Sequence, residues 1–298
     1  MDQRLWNRFV ETVADSRITN IIISQNGERI AEHHFDEEHR RNIYSATKSF
    51  TSAAVGIAVK EGLLSIEESV VDCFPDELPE NVPENLQKLK LEHLLTMTVG
   101  QREAYLMGGQ RPFLEEDDWV RYVLSKPFDY EPGTVYHYTN FGPYLLGVLI
   151  SRRAGCSMND YLTPRLFQPL GIRRTSWEVD PRGYNFGAGG LFLCTSEMLR
   201  FGELYLGEGT YKGRHILTPE WVRKSKTPYI RLENDPLGRD AFGYFFWTGP
   251  QGSYSANGKY GQYIIILDAQ KAVIAINAES RQPMDFLRPL REMIIPAL

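Results

Sequence analysis

The stretch NIYSATKSFTSAAVGIAVKEG, residues 42–62, sets Lys48 three positions after Ser45. On a helix, residues at this spacing share a face, so the amine can reach the hydroxyl. A serine at a helix start also has unpaired backbone N–H groups and the positive end of the helix dipole beside it. These features suit a nucleophile whose attack on a carbonyl creates an oxyanion. Ser45-Ala46-Thr47-Lys48 is the only Ser-x-x-Lys in the chain. Such a short pattern also arises by chance, and a lysine snorkelling to water from a core helix is the plainer alternative.

Two other groups could complete the chemistry. Tyr138-Thr139-Asn140, the only Tyr-x-Asn, follows the loop marker Pro132-Gly133 and precedes an apolar helix. An activated serine needs a proton acceptor, and Tyr138 could serve if nearby cations lowered its phenol from about 10. Asn140 could hold the lysine amine or a substrate carbonyl. Taken alone, Tyr136, Tyr138 and Tyr144 read as an aromatic helix cap. The third group is Ala256-Asn257-Gly258-Lys259-Tyr260-Gly261-Gln262. Glycine within a strand pattern often marks close approach of a ligand or backbone, and an edge strand here could lend one N–H to an oxyanion hole. A glycine-rich bulge is the alternative.

The elements that must position these groups follow from periodicity. After a first helix, ITNIIIS-QNG-ERIAEHHF reads as two strands around an Asn26-Gly27 turn. A helix over 45–61 comes next, with Gly62 ending it. From about Leu63 to Leu206 the apolar residues recur at helical spacing, broken by Gly and Pro. TPEWVRKSK begins another helix with Thr218 as N-cap and Pro219 at its first position. AFGYFFWTG, SYSANGKYGQYIIIL and AVIAINAES then read as strands, the last two joined by a turn over 268–271, and MDFLRPLREMIIPAL closes the chain as a helix interrupted at Pro289. Strands at both ends with helices between predict an α/β fold (α+β in the looser sense). Its antiparallel sheet, built from residues 1–65 and 208–298, is flanked by helices and carries an inserted, mostly helical domain over 66–207. The site should lie in the cleft between them.

Composition narrows the function classes. The 298 residues are 42% hydrophobic and 24% charged, which is ordinary globular usage, and the net charge is −5. That balance gives no basis for a nucleic-acid or anionic-membrane surface. Cys73, Cys156 and Cys194 are odd in number, widely spaced and without CxxC, so we expect reduced, buried thiols rather than disulfides or a zinc knuckle. No apolar run is long enough to span a membrane, and MDQRLWNRFVETVADS lacks the apolar region of a signal peptide. A cytoplasmic location is the expectation.

Other motifs favour structural roles. HHFDEEH, residues 33–39, has metal-binding residue types but no His-Glu-x-x-His helix, and no metal is expected. Ser157 follows no strand and precedes a helix, so it reads as a cap rather than a nucleophile. The acidic run 115–118 is a solvated helix start. Nothing resembles a phosphate-cradling loop or dinucleotide fingerprint, so no cofactor is expected.

In this order, Ser45-x-x-Lys48, Tyr138-x-Asn140 and the Gly258 strand resemble the serine β-lactamase and penicillin-binding protein superfamily, above all the class C β-lactamase-related hydrolases. LEHLLTMTVG, EPGTVYHYTNFGPYLLGVLI, YLTPRLFQPLGIRRTSW and AGGLFLCTSEMLRFGELYL extend the resemblance over nearly the whole chain. It implies that Ser45 is acylated, that Lys48 helps deprotonate it, and that Tyr138 relays protons. Asn140 would contact lysine and substrate, and the N–H groups of Ser45 and Lys259, the latter just past Gly258, would hold the oxyanion. The family's strand motif Lys-Thr-Gly is Ala256-Asn257-Gly258 here. Loss of that cation weakens anchoring of a β-lactam carboxylate by roughly 1.5–3 kcal/mol. We therefore expect hydrolysis of small esters, amides or peptides. The rivals are a β-lactamase or D-Ala-D-Ala carboxypeptidase, and a non-catalytic acyl-ligand-binding member.

Overall fold

The computed structural model describes residues 1–233 and 235–298. Its centre is an eight-stranded antiparallel sheet. The strands are β1 (Ile18–Gln25), β2 (Glu28–His34), β3 (Ile230–Arg231), β4 (Ala241–Phe242), β5 (Trp247–Thr248), β6 (Tyr254–Asn257), β7 (Tyr263–Leu267) and β8 (Ala272–Ala278). Their spatial order is β2-β1-β8-β7-β6-β5-β4-β3, so the two ends of the chain meet where β1 pairs with β8, Ile21 opposite Ile276. Asn26 and Gly27 both take positive φ, 52° and 82°. That matches the mirror-image turn whose twist suits a hairpin.

Side-chain alternation gives the sheet two apolar faces, as a pleat of period two requires. Ile21, Ile23, Ile265, Ile274 and Ile276 pack with Trp6 and Phe9 of α1 (Gln3–Thr12) and with Phe286 and Leu290 of the C-terminal helical segment. Ile22, Ile264, Ile266 and Val273 face the larger core, which includes α2 (Thr47–Lys60), α3 (Phe141–Ala154) and α4 (Thr195–Leu206). Phe50 of α2 stacks on Phe201 of α4 at 3.7 Å between ring centroids. Fully buried aromatic rings of this kind each contribute roughly 2–3 kcal/mol by area. All residues of α2 from Thr47 to Ala58 are buried. This helix is therefore a central strut rather than an amphipathic surface helix.

Gly62 ends the segment as expected, with φ 69° and Leu63 N–H donating to the Ala58 carbonyl. Thr218 caps residues 219–226 by accepting from Trp221 N–H, and Ser157 caps 158–162 by accepting from Asp160 N–H. Several expectations need correction. The α-helix begins at Thr47, because residues 44–46 form a separate 3-10 turn. AFGYFFWTG is two short strands around a bend at 243–246. There Gly243 lies so close to the Ser225 carbonyl that a Cβ would sit 2.2 Å from it. The thiols are free, but Cys156 is exposed and Cys73 and Cys194 are half-buried.

Candidate active site

Ser45 rides on the 3-10 turn that leads into α2. Tyr44, just before it, takes a left-handed φ of 46°, and its N–H donates to Asn42 Oδ1 at 2.8 Å. A bulky residue in this region is strained, and such strain persists only where surrounding contacts over-determine it. The kink presents Ser45, half-buried, to a cleft of about 560 Å3 whose walls include Tyr136, Tyr138, Trp247, Asn257 and Lys259. A second cavity of about 590 Å3, by the Asn26-Gly27 turn and the end of α4, shares no residue with it.

Lys48 is 2% exposed. Its Nζ lies 3.0 Å from Ser45 Oγ and 2.8 Å from the Ala188 carbonyl, to which it donates. Burial holds this amine well below its ordinary range, and the positive charge of Arg111 pushes the same way. The physical cause is desolvation: an ammonium without a carboxylate partner is disfavoured in a low-dielectric interior. Ala188 belongs to the strap Phe186–Gly190, which lies along α2. Thr51 Oγ1 donates to the Gly187 carbonyl at 2.7 Å, and a Cβ on Gly187 would sit 2.2 Å from the Pro143 carbonyl.

Tyr138 carries the clearest chemical correction. Its phenol is raised to about 12, not lowered: burial dominates, against smaller opposing effects of Ser45 and Arg239. It is therefore a proton donor in the resting state, and the group suited to accept a proton is Lys48. The Lys48 Nζ sits 4.9 Å from the Tyr138 ring centroid, so amine, hydroxyl and phenol converge. Asn140 does not hold the lysine. Its Nδ2 donates to the Leu106 carbonyl at 2.8 Å, and among the described residues its buried Oδ1 has no partner.

Gly258 brings the strand to the nucleophile's turn. A Cβ there would lie 2.4 Å from the Ile43 carbonyl, so only glycine permits this approach. β6 is interior to the sheet, but β5 pairs only with Tyr254 and Ser255. Among the described residues, no strand pairs with it on that side beyond Ser255. Lys259 lies in the turn after β6, not in the strand, and is exposed with its Nζ 5.1 Å from the Tyr260 ring. Among the described residues, neither Ser45 N–H nor Lys259 N–H donates to a protein acceptor. Both residues line the cleft, and an oxyanion needs unpaired N–H donors of this kind. Ala256 is fully buried in the main core, so the cleft receives no charge from that position.

Residues beyond the motifs also build the site. Trp247 stacks on Tyr138 with centroids 5.7 Å apart. The aromatic run GYFFW marked this region in sequence only as strand. Ala188 acts through its backbone, which no residue-type pattern reports.

The serine, amine and phenol thus converge in one cleft of an α/β scaffold, and comparison with known proteins gives the class of that scaffold. The Beta-lactamase family model matches residues 8–295, and the chain belongs to that family. Protein Rv1367c of Mycobacterium tuberculosis is 25% identical over 256 residues, covering 70% of this chain and 63% of that protein. The chain thus spans less than two thirds of that relative's length. Among solved structures, a penicillin-binding protein homologue from Pyrococcus abyssi aligns with TM-score 0.78 at 21% identity, over 100% of this chain and 78% of that one. EstCE1, a hydrolase with promiscuous acyltransferase activity, aligns with TM-score 0.77 at 15% identity, over 96% and 97%. These likenesses establish the β-lactamase/transpeptidase fold. No helix among the described residues is long and apolar enough to cross a membrane.

Proposed function

We propose that this chain hydrolyses small carboxylic esters or amides through an acyl-enzyme on Ser45. The observation that carries the reading is the Lys48 amine, buried 3.0 Å from Ser45 Oγ and, among the described residues, without a carboxylate partner. Ser45 Oγ attacks the carbonyl carbon while its proton passes to the neutral Lys48 amine. The oxyanion is held by the N–H groups of Ser45 and Lys259. As the tetrahedral intermediate collapses, the bond to the leaving group breaks. The leaving atom takes a proton from the Tyr138 phenol, which Lys48 resupplies. Water then attacks the acyl carbon, loses its proton along the same route, and frees the acid and Ser45.

The buried alanine at position 256 favours esters and simple amides over β-lactams, whose carboxylate would meet no strand lysine. The test is turnover of p-nitrophenyl butyrate, nitrocefin and a D-Ala-D-Ala peptide by wild type and Ser45→Ala. Ester hydrolysis abolished in the variant supports the reading. Nitrocefin turnover exceeding ester turnover would reassign the chain as a lactamase. An absence of turnover and of any covalent adduct would favour a protein that only binds acyl ligands.

A further inference from the structure

The cleft wall carries a cation that the mechanism does not use. Arg239 lies in the loop between β3 and β4 and lines the same cleft as Ser45 and Tyr138. Asp235 holds it firmly. Asp235 Oδ2 accepts from Arg239 N–H at 3.1 Å, Arg239 Nε at 3.0 Å and Leu237 N–H at 2.9 Å, and Oδ1 accepts from Nη2 at 2.5 Å. The guanidinium also sits over the Trp247 ring, with Cζ 3.5 Å from its centroid, while Tyr138 stacks on the same indole. An arginine on a surface loop normally samples many rotamers, and ordering it carries an entropy penalty. Here that penalty is met before any ligand arrives, and one edge of the fork is consumed by Asp235. Among the described residues, Arg239 Nη1 donates to no protein acceptor.

We propose that Arg239 is the carboxylate anchor of this cleft, selecting acyl substrates that carry a free carboxylate some bonds from the scissile carbonyl. Asp235 and Trp247 are positioning residues that aim its outer edge. A guanidinium fork matches a carboxylate bidentately and is weakly hydrated, which favours this role at a partly buried wall. Lys259, the other cation lining the cleft, is exposed and lies against Tyr260, so its charge is well solvated. The anchor sits one indole away from Tyr138, on a loop rather than on the strand that carries Ala256.

The proposal rests on acyl transfer at Ser45, and the test separates the two. Mono-p-nitrophenyl esters of adipic, pimelic and suberic acids are compared with p-nitrophenyl hexanoate for wild type, Arg239→Ala, Arg239→Lys and Lys259→Ala, with a thermal melt of each. The readout is the ratio of kcat/KM for the best carboxylate ester to that for hexanoate, which cancels any general effect on Ser45 or Tyr138. In Arg239→Ala the ratio should fall about 10- to 100-fold, the size of a lost charge-assisted pair, and the loss should appear mainly in KM. Arg239→Lys should recover only part of it. An unchanged ratio in Arg239→Ala, or a larger fall in Lys259→Ala, overturns the anchor while leaving acyl transfer intact. If none of these esters is hydrolysed, the acyl-transfer reading fails. The anchor is then judged by calorimetric titration of pimelate, where tenfold weaker binding to Arg239→Ala supports it and equal affinity refutes it.

Discussion

Replacing Lys48 with methionine tests whether the buried amine is neutral, independently of any substrate. Methionine keeps most of the volume but removes the titrating group. In the unfolded chain Lys48 titrates near 10.4. In the folded protein burial moves it well below that, with Arg111 adding to the effect. Below the folded value both states are protonated, and the full penalty of burying the charge opposes folding. Between the two values the unfolded chain binds the extra proton, so stability rises with pH. Above about 10.4 both states are neutral and the dependence ends. The slope through the window is about 1.4 kcal/mol per pH unit. Loss of the hydrogen bonds to Ser45 and Ala188 adds an offset that pH leaves essentially unchanged. Urea unfolding of wild type and Lys48→Met from pH 6 to 10.5 should give a stability difference that climbs with this slope and then levels. A flat difference would mean that folded Lys48 keeps its proton until it titrates as in the unfolded chain. It would then be no base at neutral pH.

Tyr138→Phe should lower ester kcat about 10²- to 10³-fold with little change in KM, because the phenol transfers a proton only during reaction. The wild-type rate should rise with pH as Lys48 loses its proton and show no descending limb from Tyr138 below about pH 11, since that phenol is raised to about 12; stopped-flow acylation measures both. Gly258→Ala forces a Cβ to 2.4 Å from the Ile43 backbone. It should destabilise the fold by about 1–3 kcal/mol and depress acylation together, as judged by urea midpoints and burst amplitude.

Much of this was legible in the sequence because it depends on residue type and period. The order of strand and helix patterns implied a sheet assembled from both chain ends, though not the β1–β8 pairing itself. The Asn26-Gly27 hairpin and the Ser157 and Thr218 caps follow from local chemistry. So does the proximity of Ser45 and Lys48, since a helical turn brings i and i+3 together whatever surrounds it. The direction of the Tyr138 shift was not legible. It depends on how much apolar surface closes over the phenol, and spacing carries no record of that. The same holds for Asn140, whose amide turns to the Leu106 carbonyl on a loop remote in sequence. Ala188 contributes a carbonyl and Arg239 a loop cation, so neither belonged to a motif. The split of AFGYFFWTG into two strands reflects Gly243 pressed against the Ser225 backbone, a tertiary contact that overrides strand propensity.

The central claim is that Ser45 carries the acyl group. Intact-mass analysis of protein quenched during p-nitrophenyl butyrate turnover, followed by peptide mapping, locates the adduct directly. We predict one butyryl group, on the peptide containing Ser45, absent from Ser45→Ala. Turnover with the adduct on another residue, or undiminished turnover by Ser45→Ala, would contradict it.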